Sequence, residues 1–251
     1  MKRQIALDTE TTGLRHEDGH RIVEIGAVEI IDRKVIVDGV EIIEKIKTGK
    51  TFHFVINPER DIPVEVVRIH GIDNERVKDA PKFKDIVGDF VEFIKGSEVI
   101  MHNAKFDIGF LNSELERVNK GKIWEYVEKV TCSLDLDKRL YDTERKHSLD
   151  AICIRFNIDT SARVFHGALL DSDLLADVFI ETNKRFPRDI VEADLEQTNW
   201  ERPPIKRLSY NVQKIKPTLE EESSNAVYLD ALALKEKLVP IFLKNSLIHK
   251  P

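Results

Sequence analysis

Cysteine is scarce, with two residues in 251, Cys132 and Cys153. They form no CxxC pair and allow one disulfide at most. This excludes a zinc ribbon and a secreted disulfide scaffold, and it points to a reducing, cytoplasmic setting. Long apolar runs are missing too. No stretch approaches the ~18 residues that a membrane span needs, and Met1-Lys2-Arg3 passes into a strand-like segment with no signal-peptide pattern. Eleven glycines and nine prolines are too few for a disordered chain. Nor is there an excess of basic residues: 39 Lys and Arg stand against 45 Asp and Glu, a net charge of −6, with the acidic excess lying before Ile180. A basic face is the ordinary means of meeting nucleic-acid phosphates. The exception is a site whose carboxylates hold divalent cations, because the cations then supply the local positive charge. What is present, 41% hydrophobic and 33% charged residues, describes a soluble globular chain of one or two domains with a core to bury.

Strand-like and helix-like segments alternate up to about residue 184. Arg3–Leu7, Arg21–Ile31, Lys34–Ile43, Thr51–Ile56, Glu98–Met101 and Lys129–Cys132 read as strands, with Thr48-Gly49-Lys50 as turn chemistry between the third and fourth. Helices are expected from Pro81 to about Lys95 and over Ala104–Asn119, Leu134–Tyr141, Leu149–Phe156 and Gly167–Lys184. Strands first, then strands mixed with helices, predict an α/β domain with a mixed sheet. Residues 185–217 contain Pro187, Pro203, Pro204 and Pro217 and little periodicity, and read as a linker. Thr218 and Glu221 have the form of a capping box, which predicts a helix to about Val239 within a tail region, 218–251. Its Ala/Leu-rich face either folds back on the domain or docks on a partner. The second is slightly favoured, since a lone amphipathic helix is marginal by itself.

Asp8 and Glu10 lie two apart at the end of an apolar strand, so both carboxylates point to one side. The spacing alone is no signal, for it recurs at Asp73/Glu75, Asp142/Glu144 and Asp194/Glu196. Context singles out the first pair: a buried-type strand running into the turn Thr11-Thr12-Gly13. Asp171 falls near the middle of the apolar arc made by Leu170, Leu174, Leu175, Val178 and Phe179, whereas Asp173 and Asp177 lie at or beyond its edge. A carboxylate on an inward face must be paired, protonated or bound to a metal; a salt bridge to a buried Arg is the alternative to a functional role. Asp107 flanks the stripe Ala104, Ile108, Leu111, Leu115 and Val118, and reads equally as an exposed first-turn acid favoured by the helix dipole or as a site residue. His166 opens the Asp171 helix. An imidazole titrating near ~6.5 can take a proton from bound water beside a metal site, though a lone His is more often a surface or capping residue. His16 and His20, four apart in a loop, are discounted as a zinc pair, and both cysteines read as core residues. Ligation by acids selects hard cations such as Mg²⁺ or Mn²⁺ over zinc. Two such ions can activate a water and stabilise the leaving oxygen of a phosphodiester.

Six segments occur in one order: Ala6-Leu-Asp-Thr-Glu-Thr-Thr-Gly13, Ile22-Val-Glu-Ile-Gly-Ala27, His70-Gly-Ile72, His102-Asn-Ala-Lys-Phe-Asp107, Ser148-Leu-Asp-Ala151 and His166-Gly-Ala-Leu-Leu-Asp171. Over residues 1–184 the chain resembles the DnaQ-type DEDDh exonucleases, the family of the epsilon (proofreading) subunits of bacterial DNA polymerase III. The resemblance implies an RNase H-like fold with a mixed five-stranded sheet and 3′→5′ exonuclease activity. It further implies two divalent cations, Mg²⁺ or Mn²⁺, on Asp8, Glu10, Asp107 and Asp171, with His166 as general base. Glu65, His70 and Asn103, beside Asp8, Glu10 and Asp171, are implied to position the 3′-terminal nucleotide of single-stranded DNA. The implied partners are the polymerase alpha subunit, through the tail, and a small theta-like subunit.

The chain departs from the family pattern in three places. The Lys34–Lys45 region is longer than usual and implies an extended β-hairpin, and Cys132 stands where Asp is common. No clear clamp-binding pentapeptide follows the last helix of the domain, which leaves sliding-clamp contact without a motif. Two rival readings stand beside this one. An RNA-trimming exoribonuclease would share the acids but commonly lacks the linker and tail, and a non-catalytic polymerase-stabilising subunit would have lost some of the five site residues, all of which are present.

Overall fold

The computed structural model describes residues 2–186 apart from Asp38, Gly39 and Val164. The expected tail helix and all but the first two residues of the expected linker lie outside the described residues. Five strands form one sheet in the order β3-β2-β1-β4-β5. They are β1 (Arg3–Thr11), β2 (Ile22–Val37), β3 (Val40–Val55), β4 (Glu98–Met101) and β5 (Lys129–Cys132). β1 pairs antiparallel with β2 and parallel with β4; β2 and β3 are antiparallel, and β4 and β5 parallel. The mixed five-stranded sheet is therefore as expected. Among the described residues no helix is long and apolar enough to cross a membrane.

β1 is central and feeds two cores, because successive side chains of a strand point to opposite faces. On one face Ile5 and Leu7 pack with Phe83 and Phe90 of a helix at Phe83–Ile94 and with Leu111 and Leu115 of a helix at Ala104–Arg117. On the other, Ala6 packs with Ile152 of a helix at Leu149–Phe156 and with Leu174 and Val178 of a helix at Ala168–Arg185. Cys132 belongs to the first core and Cys153 to the second; both are free, buried thiols. The sheet is thus covered by helices on both faces, and β4 and residues 22–30 of β2 are buried throughout.

Two helices precede these between β3 and Phe83, in a segment for which the sequence predicts no element: α1 (Val64–His70) and α2 (Asn74–Val77). Numbering in chain order then makes Phe83–Ile94 α3, Ala104–Arg117 α4, Ser133–Leu140 α5, Leu149–Phe156 α6 and Ala168–Arg185 α7. α1 and α2 carry a small apolar cluster of their own, with Ile62, Ile72 and Val77 buried against Val23. They are too short for their periodicity to register.

The hairpin corrects the sequence reading. The third expected strand, Lys34–Ile43, straddles the reversal, which falls between Val37 and Val40: its first residues end β2, and its last ones run on through Thr48-Gly49-Lys50 into the fourth expected strand as the single strand β3. Gly49 adopts a left-handed φ of 84° where the register slips, Val28 facing Thr51 and Ile30 facing Lys47. The residues that look like a hairpin turn instead form a β-bulge in a strand that continues past them. The extended hairpin implied for this region is present, each strand having 16 residues.

Candidate active site

At the carboxyl end of β1, Ala6, Asp8 and Glu10 share the face covered by α7, and Thr9 points to the face covered by α4. Opposite Asp8 on β2 stands Gly26. A Cβ there would lie 2.2 Å from backbone atoms of Ala168 and Leu169, so the missing side chain is what lets the start of α7 close onto the sheet. Two contacts hold it. Ser172 Oγ donates to the Gly26 carbonyl at 2.8 Å, and Glu24 Oε2 accepts from the Ala168 N–H at 2.8 Å. The second is a helix cap supplied by another strand, a carboxylate at the positive end of the helix. Glu24 is itself tied through Oε1 to His53 Nε2 at 2.7 Å. This seating places Asp171, in the first turn of α7 and only 4% exposed, over the acidic end of β1.

α4 delivers the fourth acid from the opposite layer. Asn103 precedes it at a φ of 65°, a conformation that Asn tolerates better than most residues. Asp107 is 2% exposed and accepts a hydrogen bond from Thr9 Oγ1 at 2.8 Å. The alternative of an exposed first-turn acid is thereby excluded.

The electrostatics report how these acids crowd. Burial pushes the Asp8 carboxyl well above the ordinary carboxylate range, and the charges of Asp107, Glu10 and Asp171 push the same way while Arg163 opposes. Glu10 is pushed up to about 8, by burial first and then by Asp171, Glu24 and Asp107. Burial raises Asp107 to about 7 against the hydrogen bond from Thr9. Carboxylates buried with too little positive charge protonate or recruit a cation.

The donor set suits a hard divalent cation. Glu10, His166 and Asp171 each offer a ligand atom within 4.8 Å of the others, and Asp171 Oδ1 is buried with no hydrogen-bond partner among the described residues. Three carboxylates beside it and no thiolate select Mg²⁺-like ions over soft metals.

His166 sits at the exposed rim. Its N–H donates to the Ile69 carbonyl of α1 at 3.1 Å, and Nδ1 lies 3.2 Å from Asp171 Oδ2. His70, the last residue of α1, is buried, with Nδ1 accepting from the Ile72 N–H at 3.0 Å; burial lowers its pKa, and the main chain of Thr11 at the end of β1 acts on it in the opposite sense. Asn103 is exposed at the start of α4, beside the Asp107 side of the site, and Glu65 is exposed in the first turn of α1. Among the described residues no contact ties Glu65 to the four acids.

The match to known proteins follows the same segments. A family model described as Exonuclease matches residues 5–179, from the first core residue of β1 to the middle of α7. The chain belongs to this exonuclease family. Within it the exonuclease belongs with the DNA polymerase III epsilon subunits. It is 48% identical over 181 residues to the one of Rickettsia prowazekii, covering 71% of this chain and 72% of that protein. It is 36% identical over 247 residues to that of Haemophilus influenzae, covering 93% and 91%. Among solved structures it is similar to Exonuclease X in complex with 5′ overhanging duplex DNA, at 25% identity and a TM-score of 0.50 over 74% of this chain and 92% of that one. The zinc-bound E. coli ExoI–ssDNA complex shares the fold, at 15% identity and a TM-score of 0.60 over 75% and 42%.

Sequence reasoning passed over three supporting residues of the exonuclease. Gly26 had a signal, an isolated glycine inside a strand, which marks close backbone approach. Glu24 had a weaker one, an acid in an otherwise apolar strand. Arg163 had none beyond lying three residues before His166. His16 and His20 serve separate contacts, the first edge-on to Phe110 and the second with Nδ1 3.0 Å from Thr12 Oγ1, in keeping with their being discounted as a zinc pair.

Proposed function

We propose that this exonuclease removes mispaired nucleotides from the 3′ end of DNA, one 5′-mononucleotide at a time, as the cytoplasmic proofreading subunit of a DNA polymerase III complex. The observation that carries the chemistry is the meeting of four carboxylates from β1, α4 and α7, three of them with raised pKa values, beside one exposed imidazole. The names of its relatives, DNA polymerase III subunit epsilon, support the setting.

In this reading Asp8, Glu10, Asp107 and Asp171 would hold two divalent cations, Mg²⁺ or Mn²⁺, whose chemistry when bound would be to lower the pKa of a water and offset charge on the phosphodiester. His166, at the exposed rim, takes the proton of the attacking water as general base. The Glu24 cap and the Gly26 approach keep Asp171 in register with Asp8 and Glu10. Thr9 fixes the rotamer of Asp107, so the acids are preorganised. Glu65, His70 and Asn103 position the terminal nucleotide, His70 as a neutral ring that donates through Nε2. Mismatch preference needs no reading of bases, since a frayed terminus enters a single-strand site more cheaply than a paired one. Residues 218–251 dock on the polymerase alpha subunit, and a theta-like subunit is a further partner.

The test is digestion of matched and 3′-mismatched primer–templates with and without Mg²⁺, beside His166→Ala. Metal-dependent release of 5′-mononucleotides is expected, faster from the mismatch and about 10²–10⁴-fold slower in the variant. Absence of release with either Mg²⁺ or Mn²⁺ overturns the enzymatic reading.

A further inference from the structure

Arg163 lies in the segment joining α6 to α7, outside any helix or strand. Its side chain is only 9% exposed. One end of the guanidinium enters the candidate site: Nη2 donates to Asp171 Oδ2 at 2.6 Å and to His166 Nδ1 at 2.7 Å. The other end, Nη1, pairs with Asp150, a surface acid that is 57% exposed. Nε is buried with no acceptor among the described residues, so the arginine is held at two ends and unsatisfied in the middle. Its charge opposes the repulsion on both Asp8 and Glu10.

These contacts have a chemical consequence. A guanidinium can only donate, so the Nδ1 of a His166 bound to Arg163 must be the acceptor, and its lone pair is occupied. Arginine stays charged at any working pH and can leave the site only by moving. Asp171 and His166 are also the two residues whose ligand atoms cluster with that of Glu10. A divalent cation taking the same oxygens would stand within a few ångströms of a fixed positive charge, where repulsion is strong.

We propose that Arg163 is the resident counter-ion of the carboxylate cluster: guanidinium and divalent cation compete for Asp171, and loading the site displaces Arg163 and uncovers His166 Nδ1. The inference rests on the reading of the four acids as a cation site. Arg163 is then a positioning residue, acting through Asp171 and His166. It stabilises the cation-free protein and holds the base idle until the site is charged, and Asp150 is the partner it retains on leaving.

The experiment is a Mn²⁺ titration of the full chain by calorimetry, on the wild type and on Arg163→Gln, with melting curves of both in chelator. Arg163→Gln is expected to bind Mn²⁺ about tenfold more tightly, the size of an ordinary coupling between two ligands of one site. It is also expected to melt at a lower temperature without metal. A merely structural arginine would weaken both properties, so equal or weaker Mn²⁺ binding by the variant overturns the proposal. Absence of Mn²⁺ binding by either protein overturns the cation-site reading as well. A measurement on the wild type alone guards against a variant that folds poorly. Phenylglyoxal modification of Arg163, read by mass spectrometry, should rise on adding Mg²⁺ while other arginines keep their reactivity. Unchanged or greater protection of Arg163 counts against displacement.

Discussion

The two ends of the long strands break the rule of polar outside and apolar inside in opposite senses. At the carboxyl end of β1, Asp107 and Asp171 are 2% and 4% exposed, and the carboxyls of Asp8, Glu10 and Asp107 are displaced upward by burial and by one another. In the arm formed by β2 and β3 beyond the sheet, Ile36 and Val40 are 78% and 61% exposed, and the charges are paired across the strands. Arg33 Nη2 meets Glu44 at 2.8 Å, Lys34 Nζ meets Glu41 at 2.7 Å, and Lys45 Nζ meets Asp32 at 2.8 Å. The arm satisfies its charges locally through cross-strand neighbours. The site leaves negative charge over, held in place by packing that elsewhere serves stability. Buried carboxylates left over in this way suit a cation taken from solution.

This contrast can be sharpened by experiment, beginning with the chemistry. Asp8→Asn should abolish exonuclease activity, by about 10³-fold or more if an acid essential to cation binding is lost, and should raise the melting temperature of the metal-free protein by relieving repulsion. Activity loss with a lower melting temperature would mean that Asp8 is a structural acid. Gly26→Ala comes next. Its methyl would meet the backbone of Ala168 and Leu169 at 2.2 Å, so denaturant unfolding should show a loss of about 3 kcal/mol, at the upper end of overpacking costs. Activity should fall with it as Asp171 loses register. A variant of wild-type stability would remove the close approach from the account.

The pH dependence of stability comes third. Glu10 and Asp107 bind their protons more tightly when folded, at about 8 and about 7, than their ordinary values of 4.5 and 3.8 allow. Their contribution is therefore whole below the ordinary values and is lost as pH rises through about 7 to 8. Melting curves in chelator should fall between about pH 5 and about pH 9, and saturating Mg²⁺ should flatten the slope by giving the ionised acids a partner. A metal-free slope that is flat or rising breaks the description of the site. The smallest effect belongs to the arm. Ile42→Ser removes an exposed apolar side chain and should change unfolding free energy by less than about 0.5 kcal/mol, with nuclease turnover unchanged. A drop in turnover would connect the arm to the site.

Much of this was legible before the fold was known, and the reasons differ by residue. Asp171 stood out because an acid in the middle of an apolar helical arc must be paired, protonated or bound to a metal, and the structure gives it an ion pair with Arg163 and an unpartnered Oδ1. Asp8 and Glu10 stood out by context, at the end of an apolar strand. Asp107 could not be decided from α4 alone. Its partner Thr9 lies on β1, 98 residues away, and no local pattern encodes that pairing. The misplaced hairpin turn has a similar origin: Thr48-Gly49-Lys50 has the chemistry of a reversal, and only the continued pairing of Lys47 with Ile30 and of Ile46 with Ile31 makes it a bulge.

By itself the sequence determined most of the order of elements, α1, α2 and the reversal between β2 and β3 excepted, and which of their faces are apolar, since periodicity and capping act over a few residues. Together with the ordered motifs, it also singled out the four acids and the histidine that the fold brings together. The tertiary structure alone decided that β1, α4 and α7 bring those acids to one point. Gly26 there admits a helix backbone that no side chain would allow, and the Glu24 carboxylate caps a helix 144 residues away. It alone placed Arg163 between Asp171 and His166. Apart from Arg163, whose partners lie three and eight residues along the chain, each of these is a contact between groups distant in the chain, fixed by close packing, and no short stretch of sequence contains both partners.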